Sequence, residues 1–113
     1  MMKGPLKFLK FVFESPHKRQ ISIINKNKQV VKHICDILLN ILLQNITVKP
    51  IIITKLRRHR KAIYTLVNKR TTDKKRRDLL VHNPGILRTL ATVLPSIYKS
   101  IHNEPLYQNV LNQ

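Results

Sequence analysis

The chain has 113 residues, which suits one small domain and leaves no room for a second independent core. It carries 22 Lys and Arg residues against 5 Asp and Glu, a formal net charge of +17. Self-repulsion of this size destabilises a compact fold, so we expect a polyanionic partner. The single cysteine, Cys35, excludes an intramolecular disulfide and a thiolate zinc site of the usual spacing.

Residues 1–20 are predicted to be an irregular N-terminal extension, interrupted by Pro5 and Pro16. Their apolar side chains are compatible with a short strand or an amphipathic turn, and the pattern leaves both open. Lys7 and Lys10 interrupt the apolar stretch and no small-residue cleavage site follows, which is unlike a secretory signal. We therefore expect a non-secreted, intracellular protein.

The first predicted helix covers residues 21–44 and has the best helical period in the chain. Its apolar side chains recur at spacings of three and four residues: Val31, Ile34, Leu38 and Ile41. Because it is apolar over much of its circumference, we expect it to be the central and most buried element. Asn45 and Pro50 are expected to end it.

A second helix is predicted over residues 50–69, with Pro50 in its first turn. Its apolar side chains share one side: Ile52, Leu56, Ile63, Leu66 and Val67. At about 100° per residue, Arg57, Arg58 and Lys61 point away from that side, whereas His59 falls on it. One face of this helix should pack, and the opposite face should be positive.

The last predicted helices cover residues 73–82 and 84–102. Thr72 is a suitable cap for the first of them, which is short and basic. Asn83 and the following proline separate the two, and Pro95 should kink or split the second. Residues 104–113 are predicted to form a polar tail.

These patterns predict an all-α fold, a small helical bundle of three main helices plus one short basic helix. The single helical domain should span residues 21–103. Its buried stripe is expected to come from residues 21–44, 50–69 and 84–102, with the extension at 1–20 outside it.

Residues 55–77 concentrate positive charge around a single acid, Asp73. Duplex nucleic acid carries one phosphate per ~1.7 Å of axis, and arginine binds phosphate with two parallel hydrogen bonds. We therefore predict phosphate contacts from the cations of this segment: Lys55, Arg57, Arg58, Arg60, Lys61, Lys69, Arg70, Lys74, Lys75, Arg76 and Arg77.

Sequence-independent binding is favoured over base-specific recognition. The chain has no zinc-finger spacing, no basic-zipper heptads and no aromatic signature of an RNA-recognition domain. A helix-turn-helix formed by residues 50–69 and 73–82 stays open as an alternative. Its turn lacks the usual glycine, and its second helix has few polar side chains that could read bases.

Catalysis and metal binding have little support in the sequence. The five carboxylates are scattered, and the five histidines never adopt a metal-ligand spacing. Gly4 and Gly85 are the only glycines, which excludes a glycine-rich phosphate loop. We expect a protein that is not an enzyme and has no cofactor or metal.

Two other interpretations involve the apolar helices. The helix at 84–102 follows a basic region and contains Pro95, a combination also found in membrane-active segments that bind anionic lipid. The apolar bulk of 21–44 is equally suited to self-association or to contact with a capsid protein. An anionic membrane, a homo-oligomer and a capsid protein are thus alternative partners.

A series of motifs follows in a fixed order: a basic helix, a Lys-Arg-Thr-Thr turn, a basic segment ending in Leu-Leu-Val, a glycine and an apolar Leu-Pro stretch. They are Leu56–Ile63, Lys69–Thr72, Lys74–Val81, Gly85–Leu87 and Leu94–Pro95. This series resembles small basic proteins encoded by Polinton and adintovirus-type DNA elements, which have been compared with the minor basic core proteins of adenoviruses.

The resemblance implies a virion- or element-encoded protein that condenses DNA, so it favours DNA over RNA as the partner. It implies that packaged DNA is contacted by the cations at 57, 58, 60, 61, 69, 70 and 74–77. It also implies a location in the virion or the host nucleus.

Overall fold

A computed structural model describes the backbone of residues 3–103 and the side chains of residues 8–93. Within the described backbone the chain forms helices and no strand, so the predicted all-α fold, a small helical bundle, is confirmed. The helices are α1 (Lys3–Glu14), α2 (His17–Lys26), α3 (Lys28–Leu42), α4 (Pro50–Arg57), α5 (Arg60–Val67), α6 (Asp73–His82) and α7 (Pro84–Asn103). The predicted polar tail at 104–113 lies outside the described residues.

Over residues 3–20 the described chain is helical except at Ser15 and Pro16, so the predicted irregular N-terminal extension, residues 1–20, was wrong. Leu9, Val12 and Phe13 are at most 5% exposed and lie at the spacing of one helical face. That face packs against α7, α2 and α3, which makes α1 part of the core. The expected boundary at residue 20 also falls inside α2, whose buried Gln20 donates to the carbonyls of Val12 and Phe13 at the end of α1.

The predicted helix at 21–44 is two helices, α2 and α3, separated at Asn27. This residue has an extended backbone, and its side-chain oxygen accepts hydrogen bonds from the backbone N–H groups of Gln29 and Val30. Asparagine caps in this way because its short side chain replaces the missing partners of the first helical turn. The apolar period continues across the break, which is why it suggested a single helix.

The predicted helix at 50–69 is also divided, between α4 and α5, at Arg58 and His59. The apolar residues of α4 pack on α7, whereas those of α5 pack on α3 and α6. The break at Arg58 and His59 thus separates a half that packs on α7 from a half that packs on α3 and α6.

The remaining predictions are closer to the structure. α6 has the predicted bounds, and the Thr72 hydroxyl accepts from the Lys75 backbone N–H at 3.2 Å, as expected of its cap. α7 is a single helix that continues through Pro95, so the chain is not split there.

The centre of the bundle is α3, as predicted from its apolar circumference. It contacts α1, α2, α5 and α6, and Ile34 is completely buried. Because α5 and α6 pack against α3 and against each other, their outer faces remain free. The cations of residues 55–77 lie on α5 and α6, on the end of α4 and on the turns between the helices.

Candidate nucleic-acid interface

An open cleft of about 590 Å³ lies between the junction of α4 with α5 and the outer face of α6. We call it the basic cleft, because five of the predicted site residues line it: Arg57, Arg58, Arg60, Lys61 and Lys75. All five side chains are exposed. The other described residues of its lining are neutral or histidine, with no acid among them: His59, Ala62, Thr65, Leu79 and Asn83.

Local structure directs these side chains into one concave surface. Four of the cations are neighbours in the sequence and flank the break at His59, on the last turn of α4 and the first turn of α5. On α6, Lys75 and Leu79 are one turn apart and share the side that faces the cleft, while Leu80 is buried. The fifth cation therefore comes from a separate helix.

The wall of the cleft contains a close approach between His59 and Gly85, at the start of α7. A Cβ atom on Gly85 would lie 2.7 Å from Nε2 of His59. A glycine is thus required for the imidazole to lie against α7 as it does. His59, placed on the apolar side by the sequence, is half-buried and lines the cleft.

A second concavity, of about 380 Å³, lies on the other flank of α6, where it meets α3 and the end of α5. We call it the mixed hollow, because its described lining holds cations and acids together: Lys28, Lys32, Lys69 and Arg76 with Asp36 and Asp73. Two predicted site residues, Lys69 and Arg76, lie here rather than in the cleft. Lys28 and Lys32 were not predicted as site residues, because they belong to α3.

Arg76 has a structural role that its position in a basic run does not suggest. Its Nη2 donates to the carbonyl oxygen of Asn68 at 2.8 Å, and its Nε is buried without a hydrogen-bond partner. The side chain is half-buried. Arg76 therefore ties the turn after α5 to α6, and it presents less of its guanidinium to a ligand than the cleft arginines do.

Cys35 lines the mixed hollow but is not a reactive thiol. Burial raises the pKa of this thiol to about 11, with Asp36 and Asp73 acting in the same direction and Arg76 opposing them. Since the thiolate is the nucleophilic form, the folded protein keeps Cys35 inert at neutral pH.

The other predicted site residues line neither the cleft nor the hollow. Lys55, Arg70 and Lys74 are exposed, and Arg77 is half-buried. Further exposed cations are spread over the remaining helices and turns: Lys10, Lys18, Arg19, Lys26, Lys49 and Arg88. The eleven predicted residues are thus not one continuous face; five share the cleft, and the positive charge extends around the molecule.

Next to the basic cleft lies an apolar groove of about 300 Å³, formed by α3, α4 and α5. Tyr64 lines this groove and is 61% exposed. Arg57 and Arg60 line both the groove and the cleft, so the two concavities adjoin. The sequence contained a signal for Tyr64, because an aromatic ring one turn after Arg60 falls on the outer face of α5.

The described residues form neither a cluster of metal ligands nor a membrane-spanning helix. No three His, Cys, Asp or Glu side chains come together there in a way that could hold a metal ion. No helix in that part of the chain is both long and apolar enough to cross a membrane.

Comparisons with protein-family models, with curated protein sequences and with solved structures find no match to this chain. We therefore infer its function from the chemistry of the basic cleft, the mixed hollow and the apolar groove.

Proposed function

We propose that this protein binds nucleic acid through its phosphates, largely independently of base sequence and without catalysis. The observation that carries the proposal is the basic cleft, in which five exposed cations from α4, α5 and α6 line one concave surface and the described lining contains no acid. Binding is stoichiometric, and it neutralises and condenses the nucleic acid. DNA is the proposed partner.

The cleft suits phosphates for two physical reasons. A concave surface lined by charge of one sign concentrates the field and raises the local concentration of the opposite ion. Its three arginines, Arg57, Arg58 and Arg60, carry planar guanidinium groups that bind phosphate with paired hydrogen bonds. Cations elsewhere on the surface add long-range attraction that falls off over about 10 Å in 0.1 M salt.

The lining of the cleft argues against base-specific recognition. Phosphate contacts position a protein on nucleic acid, whereas side chains that hydrogen-bond base edges select the sequence. Thr65 and Asn83 carry the hydroxyl and amide groups of the described lining, and both already donate to backbone carbonyls, those of Lys61 and Leu79. Apart from the cations and His59, the lining therefore offers few groups that could read base edges, which favours binding that depends on charge and little on sequence.

The resemblance of Leu56–Ile101 to core-like proteins of Polinton and adintovirus-type elements supports a more specific role. We propose that the protein condenses the DNA of a virus or mobile element, in the virion or the host nucleus. The cleft cations Arg57, Arg58, Arg60, Lys61 and Lys75 belong to the motifs that carry this resemblance.

A salt titration of binding to a short random duplex tests the proposal. If the five cleft cations neutralise five phosphates, log affinity should fall with log salt at a slope of about −4.5. A fourfold variant, Arg57→Gln, Arg58→Gln, Lys61→Gln and Lys75→Gln, should reduce that slope to about −1.

The matched control removes the same number of charges outside the cleft: Lys10→Gln, Lys18→Gln, Lys26→Gln and Lys49→Gln. It should keep most of the slope, and both variants should have the helical circular dichroism of the original chain. A slope near zero for the original chain would contradict nucleic-acid binding. An equal reduction of the salt slope in the two variants would contradict the cleft as the binding site.

A further inference from the structure

Tyr64 is a large aromatic side chain that the fold does not use for packing. It is 61% exposed, although the chain has few aromatic residues, with 3 Tyr, 3 Phe and no Trp. Exposed apolar groups that gather at one place mark binding surfaces, and Leu42, 43% exposed, lines the same groove. The exposed ring of Tyr64, beside this groove, is therefore available to stack against a ligand.

The helical geometry of α5 places this ring between cations. At about 100° per residue, Tyr64 lies about 40° from Arg60 and about 60° from Lys61 around the helix axis. Leu66 points to the opposite side, Ile63 lies about 100° from Tyr64, and both are buried. The outer face of α5 thus presents an aromatic ring flanked by two positive side chains.

The groove beside Tyr64 has an apolar floor and a charged rim. Its floor is formed by buried side chains from three helices: Leu38, Ile41, Leu56 and Ile63. Its rim includes Arg57 and Arg60, which also line the basic cleft. A ligand that places a flat apolar ring in the groove can therefore place negative charge on the arginines and continue into the cleft.

Single-stranded nucleic acid has this combination of groups. Its unpaired bases are flat rings that stack on aromatic side chains whatever their sequence, and its phosphates alternate with the bases along the strand. In a duplex the faces of the bases are stacked on one another, so only base edges, sugars and phosphates reach a protein. The groove and the cleft together thus favour a strand with at least one accessible base.

We propose that the apolar groove binds an unpaired base of single-stranded DNA or RNA. The base stacks on Tyr64, and the flanking phosphates contact Arg57 and Arg60 before the strand enters the basic cleft. This proposal rests on the proposed function and adds that single strands are bound more tightly than duplexes of the same length.

Charge disfavours a second copy of the chain as the occupant of the groove. Each copy carries a formal net charge of +17, and docking would bring more cations against Arg57 and Arg60. Like charges brought together at an interface oppose association. An anionic occupant has the opposite effect, because it neutralises the rim.

The test compares the original chain with Tyr64→Ala, Tyr64→Phe and the control Ile51→Ala. Ile51 is 57% exposed on α4 and lines neither the groove nor the cleft, so its truncation matches the loss of exposed apolar surface. Fluorescence anisotropy is measured with oligo-dT, with oligo-U, with a dT strand of abasic sites and with a duplex of the same length.

Tyr64→Ala should lose about tenfold in affinity for oligo-dT and oligo-U, because one base loses its stacking partner. Its affinity for the duplex and for the abasic strand should stay within about twofold of the original chain. Tyr64→Phe and Ile51→Ala should behave like the original chain. A difference between oligo-dT and oligo-U in the original chain would identify which single strand is the better ligand.

A direct readout comes from Tyr64→Trp, which introduces the only tryptophan of the chain. Stacking should quench its fluorescence on addition of oligo-dT but not of the abasic strand. Quenching by both strands, or by neither, would overturn base stacking at this position.

Other outcomes separate the two proposals. Tyr64→Ala could lower the affinity for duplex and single strands equally, or could leave the affinity for single strands unchanged. Either result would show that the groove does not hold a base, while phosphate binding by the cleft would stand. If Tyr64→Ala changes only the oligomeric state in sedimentation, the groove binds a second copy. If the original chain binds none of the four probes, the proposed function itself is wrong.

Discussion

The basic cleft and the mixed hollow lie on opposite flanks of α6 and hold similar numbers of cations, but they differ in their acids. The described lining of the cleft has five cations and no acid, whereas that of the hollow has four cations and two acids. Lys75 lines the cleft and Arg76, the next residue, lines the hollow. Neighbours in one basic run thus face different electrostatic surroundings.

This difference predicts that the number of cations alone does not decide where an anion binds. Asp36 and Asp73 repel a phosphate that enters the hollow, and they attract the cations around them. In the cleft, mutual repulsion among the cations is relieved only by an external anion. We therefore expect the cleft to dominate binding even though both concavities are rich in Lys and Arg.

Charge reversal gives the largest expected effect. The cleft variant Arg57→Glu, Arg58→Glu and Lys61→Glu should lower the affinity for duplex DNA by about 100-fold or more in 0.1 M salt, since phosphate contacts become repulsions. The hollow variant Lys28→Glu, Lys32→Glu and Lys69→Glu changes the net charge equally and should lower it by about tenfold or less. Gel-shift titrations compare them, and equal losses would mean that total charge, rather than the cleft, controls binding.

Lys75 and Arg76 are adjacent residues that allow the cleft and the hollow to be compared by single substitutions. Lys75→Met should reduce the salt slope by about 1 and change the free energy of unfolding by less than about 0.5 kcal/mol. Arg76→Met should leave the salt slope nearly unchanged but cost about 1 kcal/mol, because the Asn68 carbonyl loses its donor.

Methionine serves at both positions because its helix propensity is close to that of lysine and arginine. Urea unfolding gives the stability and anisotropy in increasing salt gives the slope. If the effects of the two substitutions were exchanged, the assignment of Arg76 to structure and of Lys75 to binding would be refuted.

The wall of the cleft can be tested through Gly85 and His59. Gly85→Ala should destabilise the protein by about 1 kcal/mol, because the new methyl group overlaps the imidazole and forces it to move. In a His59→Ala background the same change should stabilise by about 0.5–1 kcal/mol, since alanine favours a helix more than glycine does. Urea unfolding of the four proteins measures the coupling, and additive effects would show that the close approach carries no energy.

The smallest expected effect concerns Cys35, in the hollow, whose ionisation changes the free energy of unfolding only at alkaline pH. The unfolded thiol ionises near pH 9.0, whereas the folded thiol keeps its proton up to about pH 11. The stability that the protonated thiol contributes is therefore complete below about pH 9 and is lost as the pH rises to about 11.

Urea unfolding at pH 8 and pH 10.5 detects this loss, and Cys35→Ala is the control because lysines and tyrosines ionise in the same range. The stability of the original chain should fall more between the two pH values than that of the variant. Identical falls would show that Cys35 ionises normally in the folded state.

Helix ends were predictable where the signal is local. Thr72 caps α6 through a hydrogen bond to a residue three positions away, so its sequence neighbours were sufficient to identify it. Asn27 gave a similar local signal, which the continuing apolar period concealed. The break at His59 has no nearby glycine or proline, and the two helices that it separates pack against different partners.

The site was predictable in composition but not in arrangement. Residues 55–77 were identified by their cations, and five of those residues do share the cleft. Lys28 and Lys32 lie outside that segment, and only tertiary packing brings α3 beside Lys69 in the hollow. Tyr64 was not predicted, because its position one turn after Arg60 is a weak signal until the groove beside it is known.

The amino-acid sequence by itself determined the all-α fold, the buried centre at α3 and the positive character of the surface. These properties depend on the spacing of apolar side chains and on the balance of charges, both of which are local or additive. Tertiary structure alone decided which cations share a concavity, where the acids lie and which aromatic ring stays exposed. Those properties depend on how separate helices break and pack, since a pair of residues far apart in the chain can become neighbours only through the core between them.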